Sequence, residues 1–100
     1  MKYNKVVIKK SDKSDKKLMA IFSRKDGEGR TKTVHFGQAG ADDYTITKDK
    51  EQRSRYRKRH AKDLKGDSSR AGYLSYYILW GNSTSRSENI KNFKKRFGYI

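Results

Sequence analysis

The sequence predicts an α+β fold, a three-stranded antiparallel sheet made of a hairpin and an N-terminal strand, packed against about three helices. Apolar residues alternate with polar ones in the first third of the chain and recur at helical spacing in the last third, and glycine-rich or polar loops separate the segments. One hundred residues is room for one domain. The chain is therefore read as a single domain, 1–100, whose residues 1–17 form a lysine-rich N-terminal strand or arm.

Residues 3 to 9, with Val6, Val7 and Ile8 between lysines, predict a short strand, and SDKSDKK at 11 to 17 predicts a polar turn. The runs 18–24 and 30–36 bracket KDGEG, whose Gly27 and Gly29 supply the positive φ angles of a longer hairpin loop. Pairing Arg24 with Arg30 sets Phe22 opposite Lys32, Ala20 opposite Val34 and Leu18 opposite Phe36. One face is then apolar, whereas the other, with Met19, Ile21, Thr33 and His35, is only half apolar. After a loop of small residues at 37–43, Thr47 is placed to cap a basic helix running to about Lys62. Ser68 or Ser69 is placed to cap the next helix, AGYLSYYILW at 71–80. There Ala71, Leu74 and Ile78 form one face and Tyr73, Tyr77 and Trp80 another. A helix apolar on two sides must be covered twice, here by the sheet and by the last helix or a partner subunit. Gly81 ends it, Ser83 or Thr84 opens the final helix, and Ile90, Phe93 and Phe97 recur at i, i+3 and i+7 before Gly98 terminates it.

Leu, Ile, Val and Phe supply only 17 of 100 residues, which with a net charge of +15 approaches a disordered composition. Periodic grouping, seven Tyr, one Trp and the absence of Pro argue for a folded chain instead. With no Cys and no ligand cluster for a structural metal, so small a core is expected to gain stability by association, and a homodimer is predicted. The absence of Cys fits a reducing setting. No signal peptide is read at the N-terminus, and no apolar run is long enough to predict membrane insertion.

Charge carries the functional reading. Lys and Arg number 26 against 11 Asp and Glu, with a sequence pI near 10.1, and such an excess calls for a polyanionic partner. On a helical wheel Lys48, Arg55, Lys58, Arg59 and Lys62 fall within about a 100° arc, opposite Tyr56, His60, Asp49 and Arg53. Cations so placed repel one another until an external anion intervenes. Two further basic regions flank the domain, Lys2, Lys5, Lys9 and Lys10 at one end and Lys91, Lys94, Lys95 and Arg96 at the other. The predicted nucleic-acid-binding set is the five helix cations with Lys91, Lys94, Lys95 and Arg96. Duplex DNA is the expected partner, held through phosphates with low sequence specificity, because base readout needs Asn, Gln and Arg aimed at base edges. Most aromatic residues sit at core-like spacing rather than alternating on a strand, which argues against a base-stacking platform. RKRHAK at 57–62 resembles a basic nuclear-import tract.

No catalytic residue, metal or cofactor is predicted. His35 and His60 accompany Asp42, Asp43, Asp49 and Glu51, but no His-x-x-x-His, phosphate loop or nucleophile motif organises them. A divalent-metal nuclease using His35 and a basic interaction protein docking on acidic capsid or host proteins are the alternatives to a non-enzymatic nucleic-acid binder.

With those residues in view, the chain resembles a family of small basic proteins of uncharacterised function from large nucleocytoplasmic DNA viruses, of the marseillevirus, mimivirus and chlorella-virus type. KTVHFG at 32–37, DYT at 43–45, KDKEQRSRYRKRH at 48–60, AGYLSYYILW at 71–80 and NFKKRFG at 92–98 carry the resemblance. It covers residues 18–98 and leaves the lysine-rich arm outside. Tyr56, Arg59 and His60 take the place of the family's Tyr-x-x-Arg-His, and Leu79 and Trp80 that of its Leu-Trp. The resemblance implies a viral origin. With it comes the expectation of a virion-packaged protein, or one of the infected host cell's viral factory or nucleus, that neutralises and condenses DNA.

Overall fold

The computed structural model describes residues 3–100. Three strands, β1 (Lys5–Lys10), β2 (Lys16–Ser23) and β3 (Lys32–Gln38), form an antiparallel sheet in the order β1-β2-β3. The hairpin register is the expected one, with Phe22 opposite Lys32, Ala20 opposite Val34 and Leu18 opposite Phe36. On the other edge of β2, Val6 pairs with Phe22 and Ile8 with Ala20, which completes the inner face. The turn between β1 and β2 is tighter than the seven polar residues predict. Lys16 already pairs with Gln38, and the Ser11 hydroxyl accepts from the Lys13 amide at 3.0 Å while bonding His35 Nδ1 at 2.7 Å.

The first two helix starts differ from expectation because aspartates outcompete the hydroxyls. Asp43 caps a single turn, α1 (Tyr44–Thr47), which stops at Lys48 in the left-handed region with φ 57°. Asp49, not Thr47, then caps α2 (Lys50–His60) by accepting from Glu51 N at 3.0 Å and Gln52 N at 3.1 Å. The helix ends at His60 and a 3-10 turn, Ala61–Asp63, follows, so Lys48 and Lys62 both lie outside it.

The apolar segment forms α3 (Ala71–Leu74) and continues as a π-helical turn, Ser75–Leu79. Neither Ser68 nor Ser69 caps it: the Ser68 hydroxyl bonds Tyr99 Oη at 2.8 Å, and Ser69 Oγ accepts from Lys32 Nζ at 2.9 Å. The π turn widens the helix so that Leu79 comes round beside Leu74, five residues earlier. Leu74, Ile78, Leu79 and Trp80 are buried, while Ala71 stays exposed at the first turn, contrary to the straight-helix wheel. Ser85, rather than Ser83 or Thr84, caps α4 (Arg86–Phe97), because Ser83 Oγ is occupied in accepting from Ser85 N at 3.0 Å. Gly98, at φ 77°, closes α4 as expected.

One core joins the layers: Val6, Ala20, Phe22 and Phe36 from the sheet, Tyr44 from α1, Leu74, Ile78, Leu79 and Trp80 from the π-wound segment, and Phe93 and Tyr99 from the C-terminal region. Its second cover is thus α4 itself, with Phe97 and Ile90 half-buried against it. Tyr99 stacks on Phe93 at 5.8 Å, and Ile100 lies along the β1 edge, donating to Asn4 O at 2.9 Å and accepting from Val6 N at 3.1 Å. Asp43 is 1 % exposed and ties three elements together, pairing with Lys17 of β2 at 2.6 Å and Arg86 of α4 at 3.0 Å. Among the described residues no helix is long and apolar enough to cross a membrane.

Candidate functional site

Helix α2 contains no buried residue, yet it is firmly docked. Four side chains on its inner stripe do this by directional contacts. Arg53 Nε donates to Gly81 O at 2.6 Å and a terminal nitrogen of the same guanidinium reaches Asn82 Oδ1. Arg57 donates to Trp80 O at 2.8 Å and lies over the Tyr76 ring at 4.2 Å. Tyr56 stacks on Trp80 with centroids 4.2 Å apart and planes at 9°, and His60 stacks on the outer face of that pair, also at 4.2 Å. The carbonyls of Trp80, the C-cap, and of Gly81 just beyond it lie at the C-terminal end of the π-wound helix, where cations are favoured. Burial, and then the neighbouring Arg57 cation, lower the pKa of Arg53. Burial raises the Tyr56 hydroxyl, with Asp63 adding to it.

The loop these arginines grip is itself clipped from beneath. Asn89 of α4, 1 % exposed, donates to Ile78 O at 2.9 Å and Ser83 O at 2.7 Å and accepts from Ser83 N at 3.0 Å. Gly81 passes over it so closely that a Cβ there would meet Tyr77 O and come within 2.8 Å of the Asn89 amide.

With Arg53 and Arg57 turned inward, the remaining α2 cations face water. Lys50 in the first turn and Arg55, Lys58 and Arg59 beyond it are exposed, and Lys62 continues the surface from the 3-10 turn. Among the described residues none of these five pairs with a carboxylate; the nearby Asp63 is taken by His60 at 2.8 Å. Lys48 is exposed but belongs to the left-handed break before Asp49, so the expected five-residue arc on one helix is reduced to three residues plus Lys62.

On α4 the four expected cations separate. At about 100° per residue, Lys91 and Lys95 lie opposite the buried Phe93, Lys94 lies on the Ile90 flank, and Arg96 lies on the other flank with Asn92. Arg96 and Arg57 line one cleft of about 200 Å³, together with Tyr77, Gly81, Asn82, Asn89, Asn92 and Phe93. The sequence pattern points to Arg96 but not to Arg57, whose place beside Arg53 on the wheel is the signal that could have found it. Lys5 and Lys9 alternate onto the sheet face away from the helices, with Val7, and Lys2 lies outside the described residues.

The groups considered for catalysis are not assembled. His35 is held by Ser11 and lies 3.9 Å from Asp12, while Asp43 is committed to Lys17 and Arg86. Among the described residues no three His, Cys, Asp or Glu side chains converge as metal ligands.

Fold and surface together define a small basic α+β protein whose most cationic helix is clamped over the core by arginine-to-carbonyl bonds and an aromatic stack. The chain belongs to the DUF5754 family of unknown function, matched over residues 6–60. That span takes in β1, so the N-terminal strand is part of what the family shares rather than an appendage, and it ends with His60 at the close of α2. No curated protein and no solved structure matches the chain.

Proposed function

We propose that this protein binds nucleic acid, duplex DNA first, through backbone phosphates gripped by the outward face of α2. One observation carries the reading: among the described residues α2 divides its cations, using Arg53 and Arg57 to dock the helix and leaving Lys50, Arg55, Lys58 and Arg59, with Lys62 beyond, exposed and without a carboxylate partner. A rigid row of uncompensated cations matches a repeating phosphate backbone, and counterion release supplies the driving force. Lys91, Lys95 and Arg96 extend the cationic surface from α4. The role is binding and condensation rather than catalysis, with low sequence specificity. A large DNA virus as the source, a virion or infected-cell setting, and a homodimer belong to the same proposal and follow from the resemblance and the small core.

The test is fluorescence anisotropy with duplex DNA, single-stranded DNA and duplex RNA across a salt series. Duplex binding is expected to weaken steeply with salt, log K falling against log salt by about 0.9 for every phosphate neutralised. Changing Arg55, Lys58, Arg59 and Lys62 together to Ala should flatten the slope by about 0.9 for every phosphate that the variant leaves to its counterions. A flat salt dependence, or a variant indistinguishable from wild type, refutes the reading. Weak binding to all three probes at near-physiological salt transfers the surface to an acidic protein partner.

A further inference from the structure

The cleft between α2 and α4 has features that the outward face of α2 lacks. Its lining contains two guanidinium groups, three asparagines and no carboxylate, and among the described residues neither Arg57 nor Arg96 is in an ion pair. Both cations are held near the same ring, Arg96 at 5.1 Å and Arg57 at 5.9 Å from the centroid of Tyr77. Tyr77 thus spaces the two charges and limits their rotamers, and the carbonyl of Trp80 fixes Arg57 from behind. The Asn89 amide is saturated by its own loop and serves as floor. Asn82 uses its oxygen to accept from Arg53, which leaves its NH2 free to donate, and Asn92 is exposed at the rim.

We infer that this cleft is a phosphate-binding site, in which Arg57, Arg96, Asn82 and Asn92 donate to the oxygens of one phosphate group of a nucleic-acid strand. The donors come from three directions, α2, α4 and the loop after the π-wound helix. That arrangement suits a tetrahedral oxyanion, whereas a planar carboxylate is satisfied by one guanidinium fork. A volume of about 200 Å³ is several times the ~30 Å³ share of one water molecule, which leaves room for a phosphate group whether free or carried on a strand. The inference rests on the nucleic-acid reading for its source of phosphate. It names a second, enclosed contact beside the open one on α2.

The experiment uses the full chain labelled with 15N, following the side-chain amides of Asn82 and Asn92 and the Nε–H signals of Arg57 and Arg96 during titration with inorganic phosphate and, separately, with a short single-stranded oligonucleotide. Both ligands are expected to move these four sets of signals ahead of the rest. Asn92→Asp, which adds a negative charge at the rim without removing any hydrogen bond of the fold, should weaken both by at least about tenfold, the scale of one charge-assisted hydrogen bond. Arg96→Gln should do the same, while Lys13→Gln, an equal charge change in the β1–β2 turn, should leave the cleft signals responding as in wild type. Oligonucleotide binding that leaves the four sets of signals unmoved overturns the cleft and spares the α2 surface. Phosphate entering the cleft with no polynucleotide binding keeps the cleft as an oxyanion site and overturns its nucleic-acid source. Shifts spread evenly over all lysines and arginines overturn it as non-specific ion binding.

Discussion

Replacing Asn89 by leucine keeps the number of side-chain heavy atoms but removes the three hydrogen bonds by which Asn89 closes the loop from Ile78 to Ser83. The bond to Ile78 O lies in the interior, where an orphaned carbonyl costs about 1–3 kcal/mol, and the two bonds to Ser83 lie nearer solvent, at about 0.5–1.5 kcal/mol each. The expected loss is about 2–6 kcal/mol, a large share of the roughly 5–15 kcal/mol that holds a domain together. For a chain of this size each kcal/mol shifts the midpoint by about 4–8 °C, so thermal unfolding should move down by roughly 8 °C or more. Urea unfolding followed by circular dichroism reads the same loss as a lower midpoint at unchanged slope. Asn89→Asp sharpens the test. It preserves the acceptor for Ser83 N but sets a carboxylate against two carbonyl oxygens, which raises its pKa in the fold. Its penalty is therefore full above the folded value and shrinks as pH falls through it, because the protonated acid can donate to one carbonyl. A loss below about 1 kcal/mol for Asn89→Leu, or an Asn89→Asp variant with no relative recovery in acid, would refute the account of Asn89 as the clip.

Three further outcomes follow from the same geometry. Burial works to raise the pKa of Asp43, but the bonds from Lys17 and Thr45 and the charges of Lys17 and Arg86 outweigh it and hold the group below its ordinary 3.8. Its contribution is thus full above the unfolded value and lost as pH falls through the folded one, and Asp43→Asn should cut stability at neutral pH and flatten the acid limb of a stability–pH curve. Gly81→Ala pushes a methyl into Tyr77 O and the Asn89 amide, and overpacking of this kind should cost about 1–3 kcal/mol or more in the same urea assay. Because Trp80 is the sole tryptophan and is 7 % exposed, its emission reports the docking of α2; Tyr56→Ala should shift it to the red and cost about 0.5–1.5 kcal/mol from the ring pair beyond the area uncovered.

The sheet was legible because period-two alternation and a glycine-bearing loop leave one register that puts Leu18, Ala20, Phe22, Val34 and Phe36 on a single face. Helix existence was legible for the same periodic reasons, and helix starts were not. Each stretch offered several capping residues, and the choice between Thr47 and Asp49, or among Ser83, Thr84 and Ser85, depends on which side chain tertiary contacts leave free. The π turn left no periodic mark, since a widening of the helix is set by packing around Leu74 and Leu79 rather than by residue type. Of the site, the exposure of Arg55, Lys58 and Arg59 could be read from the wheel. The wheel places Arg57 beside Arg53 on the inward stripe, but its carbonyl partner at Trp80 is distant in sequence and an arginine's long stem hides which way its head turns, so the cleft itself was not legible.

A helix fastened by guanidinium bonds and one ring stack, with no residue of its own sunk in the core, is held by few contacts that all break together. Such an element is expected to open as a unit, at a free energy below that of global unfolding. In hydrogen exchange, the α2 amides should therefore trade with solvent sooner than those of β2, and as one cooperative group. Rare openings of that kind would let the cationic face tilt along whatever polymer it grips, while the sheet and the Phe93 core beneath it stay closed.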